Sequence, residues 1–317
     1  MDNPLVSICI VTYNQEKYIY NCVMSALLQA KDVAVEILIG DDSSNDGTTA
    51  IIAELAQRYP ELIRHFHHKT NLGVGQNYKF LLNIARGKYI ANLDGDDYWL
   101  PGKLIKQLAL IEGNDNIQAV YTNALCCNES GAIVKIFTGK HPTTIDLRYL
   151  IEKCNFLPNS SMLYRSEHKV FFMNLAYDLI DYRLHLHIAE HGTLGYINLP
   201  FVVYRENSVG SMCADKGEKV RELLWEATSL TLTRLSNKWL SLKTSANFLS
   251  RVLLHVVKTQ KHALFLHWWQ VVTNSIPNNR LFLIIMISWY ACRKILLFIA
   301  NRICVKLCNC MRIINIR

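Results

Sequence analysis

The sequence predicts an α/β protein: a mostly parallel sheet flanked by helices, followed by a basic helical region. Three observations carry this. Short β-rich apolar runs alternate with helix-length segments through the N-terminal third, the pattern of βαβ units. Polar and acidic stretches fall where those runs end. Charge also divides the 317-residue chain, because residues 1–226 hold all 26 acids and 21 of the 34 Lys and Arg, whereas 227–317 hold 13 basic residues and no acid. The net charge of +8 therefore averages an acidic body and a basic tail.

Residues 5–11 and 35–40 read as fully buried strands, and 62–67 and 88–93 as weaker ones. The spacing predicts helices over 16–30, 47–59 and 74–86 between them. A helix at 101–112, a strand at 118–123, a hairpin turn at Glu129-Ser130-Gly131 and a helix near 144–153 follow. Residues 178–191 read as a helix and 195–204 as a strand; from 218 the chain reads as helical to its end, with a break near Pro277. The expected division is 1–215, with a nucleotide-binding half over about 1–100 and an acceptor half over about 101–215, then 216–317.

In parallel α/β sheets, ligands bind at the carboxyl ends of the strands. Three polar clusters fall there: Thr12-Tyr13-Asn14, Asp41-Asp42-Ser43-Ser44, and Asp94-Gly95-Asp96-Asp97. Capping and turn chemistry accounts for Asp46 and Thr48. It accounts less well for Asp41 and Asp42, whose carboxylates can accept from the N–H edge of a base or from ribose hydroxyls. Asp94 and Asp96 offer hard oxygen ligands on a loop, which suits Mg²⁺ or Mn²⁺ with substrate phosphates. Asp-x-Asp alone is a weak motif, but its place beside a second acidic loop makes it specific.

The stretches VSICIVTYNQEKYI, VEILIGDDSSNDGT, NLGVGQN and ARGKYIANLDGDDYWLPGKL, with a later acid-bearing helix, resemble the family 2 glycosyltransferases of GT-A fold over about residues 4–210. The resemblance implies an inverting transferase that uses a nucleotide-sugar donor, usually a UDP-sugar, and a divalent metal, Mn²⁺ or Mg²⁺. By position it puts Thr12, Tyr13 and Asn14 along the nucleotide and Asp42 on the base. Asp94 meets the ribose or metal-bound water, and Asp96 binds the metal. The general base falls in the stretch Tyr177 to Leu186, best at Asp181, with Asp178 as the fallback. Many relatives have Glu-Asp or Asp-Trp where this chain has Ile180-Asp181-Tyr182. Asn159 and Ser160 fall on the acceptor side. Tyr204-Arg205 is followed by Glu206-Asn207 rather than by the polar pair often ending in His, which leaves Arg205 as the candidate cation for the diphosphate. A surface salt bridge accounts for Arg205 equally well.

Other signals carry less. His65, His67 and His68 read as alternation on an exposed strand rather than as metal ligands, and Gly73-Val74-Gly75 lacks the third glycine of a dinucleotide loop. No signal peptide precedes the first strand, and the ten scattered cysteines include no CxxC, so reduced thiols in a cytosolic compartment are expected.

Residues 281–292 are uncharged but too few to span a bilayer, which takes about 20. Extending the segment would bury Arg293 and Lys294 at roughly 2.5–3.5 kcal/mol each. Leu296, Ile299, Ile303, Leu307 and Ile314 form a stripe beside Arg302, Lys306, Asn309 and Arg312, which suits a helix lying in an anionic membrane surface. Trp239, Trp268, Trp269 and Trp289 are expected at that interface. The expected partners are therefore a UDP-sugar, a polyprenyl-diphosphate-linked saccharide acceptor, and an anionic membrane surface contacted through 227–317. Nucleic acid is not expected. The expected location is peripheral, on the cytoplasmic face of the inner membrane, in O-antigen or capsule synthesis. A sugar nucleotidyltransferase and a non-catalytic, membrane-docked saccharide-binding module are the rival readings.

Overall fold

The computed structural model of the protein describes residues 4–175, 180–206, 217–276 and 279–296. The chain forms two compact units, Met1–Ala227 and Thr228–Arg317. The expected boundary at 215 lies outside the described residues.

In the first unit, β1 (Val6–Thr12), β2 (Val35–Asp41), β3 (Ile63–His67) and β4 (Tyr89–Asp94) pair in parallel, in the order β3-β2-β1-β4. Helices α1 (Ile19–Gln29), α2 (Thr48–Arg58) and α3 (Val74–Ile84) connect them. The edge strand β3 is half-exposed, whereas β1, β2 and β4 are buried on both faces, with Val6, Ile8, Ile10, Ile37, Ile39 and Leu93 in one core with Ile19 and Val23 of α1. This two-sided burial is why they read as continuous apolar runs.

Beyond β4 the sheet becomes mixed. The strands β5 (Tyr98–Trp99), β6 (Ile117–Cys127), β9 (Leu163–Arg165) and β10 (Thr193–Arg205) continue it as β4-β9-β6-β10-β5. β9 is antiparallel to both of its neighbours, β10 runs parallel to β6, and β5 is antiparallel to β10. Between β6 and β9 lie β7 (Ile133–Ile136), which folds back on β6 around Gly131 (φ 82°), and β8 (Thr144–Ile145), which pairs with β10. The helices here are α4 (Lys103–Glu112), α5 (Leu147–Lys153), α6 (Lys169–Met173) and α7 (Asp181–His191). All the long pairings are parallel; the antiparallel ones are short.

Register sets what meets at the carboxyl edge. Thr12 lies opposite Asp41, Asp41 opposite His67, Val11 opposite Asp94, and, on the far side of the sheet, Arg205 opposite Cys127. Because α7 leads into the parallel strand β10, its first residue, Asp181, starts at this same edge.

A buried carboxylate locks the β1–β2–β4 register. Glu36 accepts from Ser7 Oγ (2.7 Å), the Arg86 backbone N–H (2.8 Å) and Arg86 Nη2 (2.9 Å), while the Gly87 N–H donates to Ser7 Oγ (2.8 Å). Five of the described cysteines, Cys9, Cys22, Cys126, Cys127 and Cys154, are buried free thiols.

The helix α8 (Gly217–Leu235) runs past the unit boundary. The second unit continues with α9 (Lys238–Thr259), α10 (His262–Ser275) and a helix over 280–296. Helicity breaks more often than the sequence suggests. Ser236 (φ 50°) turns the chain before Asn237, whose side chain caps α9 by accepting from the Leu240 N–H, and Gln260 (φ 61°) ends that helix in the left-handed conformation. Trp268 is buried against Phe248, so it belongs to the core of this unit and not to an interface. No helix among the described residues is long and apolar enough to cross a membrane.

At Gly87, a Cβ would meet Ser7 N at 2.4 Å and Tyr89 O at 2.7 Å, both backbone atoms of paired strands. Gly87→Ala is therefore expected to destabilise the first unit by about 2 kcal/mol or more, read as a lower urea midpoint.

Candidate functional site

The loop Asp94–Asp97 gives its three acids different surroundings. Asp94 ends β4; its Oδ1 accepts from Asn159 Nδ2 (3.1 Å), its Oδ2 lies 3.2 Å from Ser160 Oγ, and its N–H donates to Ser160 Oγ (3.1 Å). Burial and the neighbouring Asp96 push its carboxyl up to about 7, against the hydrogen bonds from Asn159 and Ser160. Asp97 is buried and internal: its Oδ2 lies 2.6 Å from Ser160 Oγ and its Oδ1 accepts from the Arg205 N–H (2.8 Å). Burial, then Asp96 and Asp94, raise its pKa well above the usual carboxylate range. Asp96 is half-buried between them, and its backbone carbonyl accepts from Arg205 Nε (3.3 Å).

The nucleotide-side residues form one stitched loop pair. Thr12 Oγ1 donates to Gln15 Oε1 (2.7 Å), and the Asn14 N–H donates to Ser44 Oγ (2.9 Å) while Asn14 Oδ1 accepts from the Asn45 N–H (2.9 Å). Asn14 (φ 53°) and Ser43 (φ 66°) both take the left-handed conformation, a strain this cross-bonding holds in place. Glycine is required at 95, since a Cβ there would meet Gln15 Oε1 at 2.3 Å and Thr12 Oγ1 at 2.8 Å. Tyr13 stands exposed beside this turn.

Asp41 and Asp42 are both buried, but they differ in use. Asp41 accepts from the Ser44 N–H (3.0 Å), Thr49 Oγ1 and His67 Nδ1 (3.0 Å); burial alone would raise its pKa, yet these bonds hold it below the usual value. Asp42 accepts from the backbone N–H groups of Leu72 (2.7 Å) and Gly73 (2.9 Å), so it fixes the loop before α3. Asp46 accepts from the Thr48 N–H (3.0 Å) in the turn before α2, whose N-cap is Gly47, so its part is turn chemistry rather than capping. His68 Nε2 pairs with Asn77 Oδ1 (3.0 Å), so two of the three clustered histidines serve as polar ties.

Asp181 opens α7. Among the described residues its bonds go to Oδ1, from Asn155 Nδ2 (3.1 Å) and the Tyr182 N–H (2.7 Å). It lies near enough to Asp94 to contribute to the raised pKa there. One turn along α7, His185 packs edge-on to Tyr121 (4.9 Å between centroids), and both side chains are fully buried. Asp178 lies outside the described residues.

Arg205 is buried rather than part of a surface salt bridge. Its Nη1 donates to the Asn128 carbonyl (2.9 Å), and its guanidinium lies 4.1 Å over the Tyr18 ring. A cleft of about 620 Å³ opens beside it, with Tyr18, Tyr98 and Glu129 in its lining. Asn159 and Ser160 turn their side chains onto Asp94, which ties them to the acid loop. The sequence reading gave no role to Asp97, Gln15 or Asn155. Asp97 was visible as the third acid of its loop; the other two carry no motif.

The chain resembles known proteins in both sequence and fold. Residues 7–171 match the family model described as glycosyl transferase family 2. An uncharacterised protein of Mycobacterium tuberculosis is 33% identical over 209 residues, 65% of this chain and 60% of that protein, so the chain spans about three-fifths of that relative. The Escherichia coli protein WfaP, named as a UDP-Glc:α-D-GlcNAc-diphosphoundecaprenol β-1,3-glucosyltransferase, is 33% identical over 67% of this chain and 81% of its own length. In structure, S. aureus TarS 1–349, crystallised with UDP-GlcNAc, superposes with a TM-score of 0.63 at 18% identity, covering 86% of this chain and 81% of that one; the GT-A fold is shared.

Burial lowers the His185 pKa to about 4, against a weaker opposing effect of Asp181. Between pH 6.5 and about 4 the unfolded chain binds a proton there that the native state refuses, so stability falls as pH falls through that window. The loss amounts to about 3 kcal/mol in total. Neither ring nitrogen has a hydrogen-bond partner among the described residues. His185→Phe should match or exceed wild-type stability at pH 7 and exceed it increasingly towards pH 5, measured by urea unfolding at both pH values.

Proposed function

The chain belongs to glycosyl transferase family 2, and from that premise we propose that it is an inverting glycosyltransferase. In this reading it moves a sugar from a UDP-sugar to a hydroxyl of a polyprenyl-diphosphate-linked saccharide in surface-polysaccharide synthesis. The observation that carries the proposal is the meeting, at one sheet edge, of the Thr12–Asn14 turn, the Asp41–Ser44 loop and the acid loop, with Asp181 near enough to Asp94 to act on its charge.

Thr12, Tyr13 and Asn14 lie along the nucleotide, with the exposed Tyr13 ring available to it. Asp42 already accepts two backbone N–H groups, and a carboxylate has about four acceptor positions, so it can hold its loop and still meet a base. Hard oxygen donors close enough for Asp96 to raise the Asp94 pKa fit a divalent cation, Mn²⁺ or Mg²⁺, which Asp96 would hold with Asp94 beside it. Such an ion, when bound, stabilises the departing diphosphate. The chain's own chemistry is a proton transfer: the acceptor hydroxyl attacks the anomeric carbon and gives its proton to Asp181. Asn155 and the Tyr182 N–H orient that carboxylate through Oδ1, which leaves Oδ2 to take the proton. Arg205, held by main-chain carbonyls, braces the acid loop through its contacts with Asp96 and Asp97 and is the candidate cation for the diphosphate.

The activity for which WfaP is named supports the donor and acceptor classes. Support for a peripheral membrane position comes from the second unit. The helix over 280–296 buries Leu283, Ile287 and Ala291 but exposes Leu281, Phe282, Ile284, Ile285 and Trp289, on a segment with no acid. An apolar face among cations suits an anionic bilayer surface, here the cytoplasmic face of the inner membrane. The stripe from Ile299 to Ile314 lies outside the described residues.

UDP release from a panel of UDP-sugars, in the presence of lipid-linked acceptor and Mn²⁺, should show turnover of one donor that chelation and Asp96→Ala abolish. Asp181→Asn should lower kcat by about 10²–10⁴-fold. Pyrophosphate-linked formation of UDP-sugar would instead identify a nucleotidyltransferase, and silence with every donor would end the enzyme reading. In vesicle co-sedimentation, the full chain should bind anionic liposomes, release in high salt, and lose binding when 281–317 are removed; equal binding to neutral liposomes would contradict the charge argument.

A further inference from the structure

We propose that His168, His187 and His191 form a second metal site, for a borderline transition cation of the zinc class, at the sheet edge opposite the acid loop. The topology separates the two places. The helix α7 begins with Asp181 at the carboxyl edge and ends with His191 near the start of β6, where Gln118 lies. His187 and His191 stand four residues apart, on one face of α7. His168 comes from the turn after β9, at 166–168. One nitrogen from each ring lies within 4.8 Å of the others.

Tetrahedral zinc, with bonds of about 2.0–2.1 Å, sets nitrogens roughly 3.3 Å apart, so the rings must close by about 1 Å or somewhat more. Space for that movement exists, because a cavity of about 640 Å³ lies against these three rings, Gln118 and Phe171. The surroundings already orient the ligands. His191 Nδ1 lies 2.8 Å from the His187 carbonyl oxygen, so it carries the proton and presents Nε2 as the lone pair. His187 stacks on Phe171 (3.7 Å between centroids, 2° between planes), and Gln118 Oε1 lies 3.1 Å from His168 Nε2. Water supplies the fourth ligand.

The donor sets separate the two metals: imidazole nitrogens select zinc-class ions, whereas the acid loop offers only hard oxygen. A bound ion would clamp the last turn of α7 to the turn before α6. The proposal stands independently of the transferase reading.

The test uses the full-length protein, stripped by chelator and kept in excess Mg²⁺ to satisfy the oxygen site. It is titrated with Co²⁺, followed by visible absorption, and then with Zn²⁺, followed by thermal unfolding. Saturable binding of one Co²⁺ with tetrahedral-type bands, its displacement by Zn²⁺, and a rise in Tm are expected. His187→Gln and His191→Gln should each weaken binding about tenfold or more, whereas Asp96→Ala and His67→Ala should leave it unchanged. Absence of saturable Co²⁺ binding in the wild type overturns the site whether or not a variant folds. Equal affinity in His187→Gln/His191→Gln, or loss in Asp96→Ala, overturns it as well, and the cluster is then ring packing alone.

Discussion

Ser160 Oγ lies 2.6 Å from Asp97, 3.2 Å from Asp94 and 3.1 Å from the Asp94 N–H, and the geometry of the acid loop depends on this one hydroxyl. A hydroxyl has one proton and two acceptor positions. It cannot donate to both carboxylates at once. The conflict disappears if Asp97 carries a proton, which its burial beside two other acids favours. Protonated Asp97 donates to Ser160, Ser160 donates to Asp94, and the Asp94 N–H fills the remaining position on the hydroxyl. With that proton, Asp97 is a neutral strut between the Arg205 N–H and Ser160. Three acids in four residues then cost less repulsion than their spacing suggests.

That hydroxyl is itself held from behind. Trp99 Nε1 donates to the Ser160 carbonyl (2.6 Å), and Gln107 Nε2 donates to the carbonyls of Ser161 (2.8 Å) and Val120 (2.7 Å). Gln107 Oε1 in turn accepts from Lys103 Nζ (2.7 Å), a buried amine that also lies 3.9 Å over the Trp99 ring and whose pKa burial lowers. On the other flank, Asn92 Nδ2 donates to Asn159 Oδ1 (3.1 Å), and Tyr78 OH donates to Asn92 Oδ1 (2.6 Å). The supports come from β4, β5, α3 and α4, so the acids are fixed by a rigid polar core rather than by their own loop. A site that must discriminate positions to a fraction of an ångström needs such backing.

The first half of the fold was legible because its strands are long enough to show a period and are buried on both faces. Residues 5–11 and 35–40 could hardly be anything else. β9 was not legible: Leu163-Tyr164-Arg165 is too short to carry a pattern, yet it inserts between β4 and β6 and so delivers Ser160 to Asp94. β5 and β8, two residues each, escaped for the same reason. Within the site, acids in pairs announced themselves, whereas Gln15 and Asn155 act through single hydrogen bonds that leave no spacing to read. Arg205 was visible as a cation but not as a buried one, since its partners are backbone carbonyls, which every sequence contains. Trp268 shows the converse limit. A tryptophan among basic residues suggests an interface, and only the packing of α9 against α10 reveals that this one is core.

The charge division has a physical logic that the fold makes specific. An edge that gathers Asp41, Asp42, Asp94, Asp96, Asp97 and Asp181 can hold a cation only if compensating bases are kept off it, and Arg205 is the exception because carbonyls and the Tyr18 ring occupy it. The body still carries 21 Lys and Arg beside its 26 acids; only after residue 226 do bases, 13 of them, stand without any acid. Even there they are not all displayed: Lys294 Nζ donates to Asn247 Oδ1 (2.9 Å) and Ser250 Oγ (2.7 Å), a polar seat inside the second unit. Lys294 is half-buried, and these hydrogen bonds to an amide and a hydroxyl seat its ammonium within a stretch whose sequence holds no acid. A unit with bases and no acids has a field of one sign, which is what attraction to an anionic surface would require.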